Sequence, residues 1–149
     1  PGLRFRPRKW AEMLSDLHDV LLHCECEAEN FYDRPRAKAG NLSCWHCKQP
    51  LKRPVRIRLA DGVVFLNPGT ELYPHHFGKR LDFSAPVARV TQHPKDPTKW
   101  GLENLGDTPW NSTTKTGDPK DIAPGGTARL LPDREINFGT LTGSIRFGG

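Results

Sequence analysis

The chain has 149 residues, 36% of them apolar, with 14 Pro and 14 Gly; this suits one domain, or a small domain with a helical appendage, around a modest core. No stretch approaches the roughly 20 apolar residues of a membrane-spanning helix and no signal-peptide pattern opens the chain, so a cytoplasmic chain with no membrane partner is expected. The net charge is +5, but the basic residues gather loosely, in Arg4, Arg6, Arg8 and Lys9 and again in Lys52, Arg53, Arg56 and Arg58; the second set alternates as on one strand face, which reads as a solvated surface more than a nucleic-acid footprint.

In chain order, residues 7–22 read as an amphipathic helix. Trp10, Met13, Leu14, Leu17, Val20 and Leu21 recur at three- and four-residue spacing, and Pro7 suits the first turn, where its missing N–H costs nothing. The stripe is expected to pack on a core, either this chain's own or that of an upstream domain, since a start at Pro1 without an initiator Met reads as a piece of something longer. Residues 23–50 form a polar, loop-rich segment. From Pro54 short strands are expected at 55–59, 63–66, 70–73, 87–91, 100–104, 127–131, 135–138 and 143–147. Turn signals such as Asp61-Gly62, Pro68-Gly69 and Pro124-Gly125-Gly126 separate them. Short strands at that spacing predict an antiparallel β-sandwich, and no helical period appears after Cys47.

Cys24 and Cys26 are one residue apart, Cys44 and Cys47 two apart, and 17 residues lie between the pairs. Two such knuckles facing each other supply the four ligands of a tetrahedral zinc ion. Disulfides and a redox dithiol are the rivals; nothing indicates secretion, and no βαβ pattern surrounds Cys44-Trp45-His46-Cys47. With Cys24, Cys26, Cys44 and Cys47 all ligating, no position stays open for water, so the Zn²⁺ is expected to be structural. His23 and His46 adjoin the ligands as possible substitutes. His75 and His76 are adjacent, and on a strand they would point to opposite faces and not share an ion. No paired carboxylates, phosphate loop or nucleophile elbow appears, so no catalytic residues are expected.

Several segments carry a resemblance. Arg6-Pro7-Arg8-Lys9-Trp10 and the helix behind it resemble the last helix of a protein kinase domain. Leu59-Ala60-Asp61-Gly62, Leu72-Tyr73-Pro74-His75-His76, Trp100-Gly101-Leu102-Glu103-Asn104-Leu105, Pro124-Gly125 and Ile136-Asn137-Phe138-Gly139 resemble forkhead-associated domains. Together with the cysteines they are similar to the C-terminal region of the bacterial Ser/Thr kinase of the TerY-type phosphorylation triad, associated with tellurite and stress resistance. The resemblance implies a mainly β chain: a helix over 1–23 that ends a kinase domain or linker, a zinc-binding segment over 24–50, and a forkhead-associated-like β-sandwich over 51–149. It implies a non-catalytic regulatory domain that docks a von Willebrand factor A domain protein, with a 2C-type protein phosphatase encoded alongside; the kinase's own catalytic motifs are absent. Partner anchors are expected among Phe31, Tyr32, Trp45, Arg53 and Trp110. The alternative is a phosphothreonine reader that would use Arg56, Arg58, Lys79 or Arg80 with Asn111-Ser112, although the family's Gly-Arg and Ser-before-His signatures are missing. A nucleic-acid-binding zinc module is the third reading.

Overall fold

The computed structural model describes residues 4–52 and 54–148. Its elements are α1 (Pro7–His18), β1 (Leu21–His23), β2 (Glu29–Phe31), α2 (Arg34–Lys38), β3 (Val55–Leu59), β4 (Gly62–Phe65) and β5 (Glu71–Leu72). A 3₁₀ turn (Pro74–Phe77) follows, then β6 (Ala88–His93), β7 (Asp96–Asn104), β8 (Trp110–Thr114), β9 (Gly117–Ile122), β10 (Thr127–Arg129), β11 (Glu135–Asn137) and β12 (Thr142–Phe147). A six-stranded sheet runs β4-β3-β12-β11-β8-β9, a four-stranded sheet runs β10-β7-β6-β5, and β1 and β2 form a separate ribbon. All the strand pairs are antiparallel. The mainly β architecture with an N-terminal helix and a four-cysteine segment is thus the observed fold.

Strand alternation builds the core. Ile57 and Leu59 of β3, Ile136 of β11 and Ile145 of β12 point inward from the larger sheet. Leu72, Val90, Leu102 and Ala128 meet them from the smaller one. Arg58, between Ile57 and Leu59, is exposed, as its place in the alternation requires. Gly143 sits where the sheet has no room for a side chain: a Cβ there would lie 2.7 Å from Ile57 Cδ1 and 2.9 Å from a Leu59 methyl. Gly143→Val therefore overpacks the core and is expected to lower stability by about 1–3 kcal/mol, read as a lower urea midpoint at unchanged slope.

Three expectations need correction. The helix ends at His18, not at residue 22. Asp19 caps it, and the Asp19 carbonyl accepts Phe65 N–H at 2.7 Å, so Leu21 and Leu22 are drawn off the helix into β1 beside the sandwich. The helical stripe does not pack on the sandwich: no α1 residue is buried, and Trp10, Met13, Leu14 and Leu17 are 51%, 41%, 59% and 43% exposed. Finally, β8 and β9 were not expected. Their inward positions include Ser112, and β9 buries Ile122 alone, so neither shows an apolar alternation. Pro119 is tolerated because β9 is an edge strand.

Candidate metal centre and the junction beside it

Two turns carry the cysteines. After β1, Cys24 N–H donates to Ala28 O (3.0 Å) and Glu27 N–H to Cys24 O (2.9 Å), with Glu27 in the left-handed region at φ 68°. In the second turn Cys44 N–H donates to Gln49 O (2.9 Å) and Lys48 N–H to Cys44 O (3.0 Å), with Lys48 at φ 63°. Each turn presses its two thiols toward the other. The Cys24 and Cys47 sulfurs are 3.5 Å apart, the Cys26 and Cys44 sulfurs 3.7 Å, and all four lie within 4.8 Å of one another. A tetrahedron with metal–sulfur bonds of about 2.3 Å has edges of about 3.8 Å. Disulfides would close to about 2 Å and require paired Cβ vectors; all four cysteines are free. The donor set fits a zinc ion, and Cys24, Cys26, Cys44 and Cys47 would hold it as a closed structural site.

Electrostatics favour ionisation at one corner. Burial raises the Cys44 thiol, but the main-chain N–H groups of Cys47 and His46, with Asn30, outweigh it and bring it down to about 6. The Cys26 main-chain N–H pulls Cys24 down, yet burial and the neighbouring thiols push it up to about 12. A cation must therefore collect its remaining thiolates from a crowded set, which couples metal binding to pH.

Asn30, buried to 4% exposure, had not been singled out in the sequence. Its amide nitrogen donates to Ala28 O (2.9 Å) and approaches Cys44 Sγ (3.6 Å), while its oxygen accepts Trp45 N–H (3.0 Å). It braces both turns, as groups behind metal ligands do. His23 and His46 lie outside the thiol group: His23 faces Glu29 at 3.8 Å, and His46 stands edge-on to Trp45.

The expected anchors divide. Phe31 is 72% and Trp45 63% exposed, and Trp45 Nε1 donates to Glu29 O (2.9 Å), two residues along β2 from Phe31. Tyr32 is half-buried, its ring edge-on to Phe65 with centroids 5.3 Å apart, so it fastens the cysteine segment to the sandwich. Trp110 is buried against Phe138 in the core and has no surface to offer. Arg53 lies outside the described residues. Of the phosphate candidates, Arg80 donates to Asp16 (3.0 Å), the Asn111 amide to Asp121 (2.9 Å), and buried Ser112 accepts from Arg134 (2.9 Å). The Arg56 guanidinium is turned to the Gly148 carbonyl. Lys79 and Arg58 are exposed.

The junction between the cysteine segment and the sandwich is polar. Asn67 mimics a strand: its amide nitrogen donates to Leu21 O (2.9 Å) and its oxygen accepts His23 N–H (3.0 Å). Beside it, His75 and His76 are both buried on a 3₁₀ turn, where the opposite faces of a strand do not keep them apart. With Asp19 they bring ligand atoms within 4.8 Å of one another. The tautomers speak against a second metal. His75 Nδ1 accepts Leu81 N–H and His76 Nδ1 accepts Tyr73 N–H, each at 2.8 Å. A neutral imidazole has one ring lone pair to give, so both rings carry hydrogen on Nε2, the atom facing the cluster. His76 Nε2–H donates to Asp19 Oδ1 at 3.1 Å.

Burial, then the Arg80 charge, hold His75 below the ordinary histidine value of 6.5. The folded state thus binds fewer protons there than the unfolded chain. His75 should contribute stability fully above pH 6.5 and lose it progressively as the pH falls below that value. Urea midpoints between neutral and mildly acidic pH are expected to fall, and His75→Gln should flatten that part of the slope while leaving any metal-linked part.

No family model matches the chain, and no curated protein matches it. Among solved structures it is similar to the FHA domain of human APLF, crystallised with an XRCC1 bisphospho peptide. The two are 16% identical with a TM-score of 0.46, over 62% of this chain and 97% of that one. A likeness this distant carries nothing about ligands. Among the described residues, no helix is long and apolar enough to cross a membrane.

Proposed function

We propose that this chain is a zinc-stabilised, non-catalytic docking module. The observation that carries the reading is the pair Phe31 and Trp45, both large and exposed, with Trp45 tied by its main chain to Asn30 and by its indole to Glu29 beside the cysteine turns. Exposed aromatics on a rigid support are the side chains that dominate protein interfaces. The sequence resemblance supports the finer statement: a cytoplasmic regulatory segment of a TerY-type Ser/Thr kinase, with 1–23 as its tail helix, 24–50 as its zinc segment and 51–149 as its forkhead-associated-like part, which docks a von Willebrand factor A domain protein. The 2C-type phosphatase is the second candidate partner. The unpacked apolar face of α1 is in keeping with a helix that continues a neighbouring domain.

The test is calorimetric titration of the zinc-loaded chain with a TerY-type von Willebrand factor A domain. Binding is expected, and Phe31→Ala with Trp45→Ala should weaken it by about 2 kcal/mol or more, near thirtyfold, with zinc content unchanged. No binding, or binding indifferent to both changes, refutes the reading. A phosphothreonine peptide in the same cell tests the reader alternative: heat that disappears on dephosphorylation would favour it.

A further inference from the structure

A surface helix normally lays its apolar stripe on the core and shows its polar side to water; α1 does the reverse. Its polar side meets the sandwich: Asp16 pairs with Arg80 (3.0 Å), Asp19 with His76 (3.1 Å), and Glu12 and Ser15 are half-buried. The opposite side, Trp10, Met13, Leu14 and Leu17, is exposed, and Phe5 extends it, edge-on to Trp10 with centroids 5.9 Å apart. Nor do the helix's own residues stabilise it well. It has 12 residues, none buried, and no side chain caps its start. Arg8 and Lys9 stand in its first turn and Asp16 and Asp19 at its end, against the helix dipole. A helix of that length is marginal by itself.

The symmetry of α1 indicates what completes it. Trp10, Met13, Leu14 and Leu17 are spaced three, one and three residues apart, the same read in either direction. An antiparallel second copy therefore sets Trp10 against Leu17 and Met13 against Leu14 on both sides of a twofold axis. In that register the basic starts, Arg8 and Lys9, lie over the acidic ends, Asp16 and Asp19, at each end of the pair, and the two dipoles oppose. Asp16 keeps exposed surface beside Arg80 for this contact. A parallel copy would bring basic start to basic start. Because the polar sides of α1 face the sandwiches, the two bodies stay outside the pair. The stripe with Phe5 offers on the order of 500 Å² per copy, so a pair buries about 1,000 Å², the lower end for a specific interface.

We propose that α1 is a self-association element: a second copy of this chain covers its stripe, helix against helix and antiparallel, about an axis between Met13 and Leu14. The contact goes beyond the docking reading above and uses none of Phe31 or Trp45, so either can fail alone. An interface of this size is expected to dissociate in the range of roughly 10–100 µM.

Sedimentation velocity of the zinc-loaded chain from about 5 to about 300 µM brackets that range. The wild type is expected to pass from monomer toward dimer. Leu14→Asp, at an exposed position, should weaken the dimer at least about tenfold. Arg8→Glu with Lys9→Glu should weaken it about tenfold, because acidic starts then lie over acidic ends. Circular dichroism should show no less helix in that variant, since acids suit a helix start, so lost helix is not the cause. Mixed with wild type, it should pair no more tightly than wild type with itself. A chain that stays monomeric at the highest concentration overturns the proposal and leaves the stripe to a neighbouring domain. A dimer indifferent to Leu14→Asp places the contact elsewhere and overturns it too. A mixed pair tighter than the wild-type one would mean parallel helices and reject the antiparallel arrangement.

Discussion

Cys44→Ser should leave the chain without stoichiometric zinc and unfold the cysteine segment while the sandwich stays folded. Cys44 is the buried corner of the thiol group, and the main-chain N–H groups of Cys47 and His46, with Asn30, hold its thiol down at about 6, which favours the thiolate a metal needs. A serine hydroxyl there offers a poor zinc ligand in a site whose other corners are sulfur. Around the cysteines little else supplies stability. From residue 20 to 50 the buried side chains are Leu22, Asn30, Ala37 and Cys44, too few to order a segment of that length against chain entropy. Metal binding in sites of this kind contributes about 10 kcal/mol or more of folding free energy. Native mass spectrometry should show the wild-type chain one zinc heavier and the variant metal-free. Hydrogen exchange should show lost protection at Cys24, Cys44 and Lys48, whose N–H groups build the turns, with Ile57, Leu102 and Ile136 still protected. Acidification should release the ion in the wild type, since protons compete for the thiolates. Asn30→Ala is the milder companion, expected to weaken metal affinity about 10–100-fold. A Cys44→Ser chain that still carries zinc with native protection in both turns would remove the metal centre from this account.

The second large effect is expected inside the sandwich. Asn104 is fully buried at the end of β7. Its amide nitrogen donates to Thr108 O (2.8 Å) and to Ile122 O (3.2 Å), and its oxygen accepts Gly106 N–H (3.0 Å). That one side chain shapes the loop from β7 to β8 and ties it to β9. Asn104→Asp keeps the shape and replaces the donor by an oxygen, which then faces two carbonyls without water. The variant must either bury an opposed charge or protonate, and both are unfavourable. A loss of about 3 kcal/mol or more is expected, a fall in melting temperature of roughly 10 °C for a chain of this size, and one that eases at low pH as the carboxyl protonates. A melting temperature within experimental scatter of the wild type would contradict the assigned role.

Seen from these residues, what was readable in the sequence was whatever repeats at short range. The two cysteine pairs pointed to a four-sulfur cluster through spacing alone, and the fold brings the four thiols within 4.8 Å of one another. Ile57 and Leu59, Val90, Leu102 and Ile145 lie in apolar strands bounded by turn signals, so the sandwich and most of its strands were legible. Ser112 and Pro119 break that pattern, which hid β8 and β9. Phe31, Trp45 and Trp110 are aromatics of the same kind in the sequence, yet the first two lie on the surface and the third in the core, and composition offers no way to tell them apart.

Local chemistry thus determined most of the strands, the start of the helix and which thiols are candidate ligands, because ligand type and hydrophobic period act over a few residues. Tertiary structure decided the rest. The hydrogen bond from Phe65 to the Asp19 carbonyl ends the helix four residues early, Asn67 docks β1, and a 3₁₀ turn buries two histidines that a strand would have separated. Each of these contacts joins residues more than 40 positions apart or turns on a backbone geometry set by them. Their energies depend on the whole chain having closed, and no window along the sequence contains both partners.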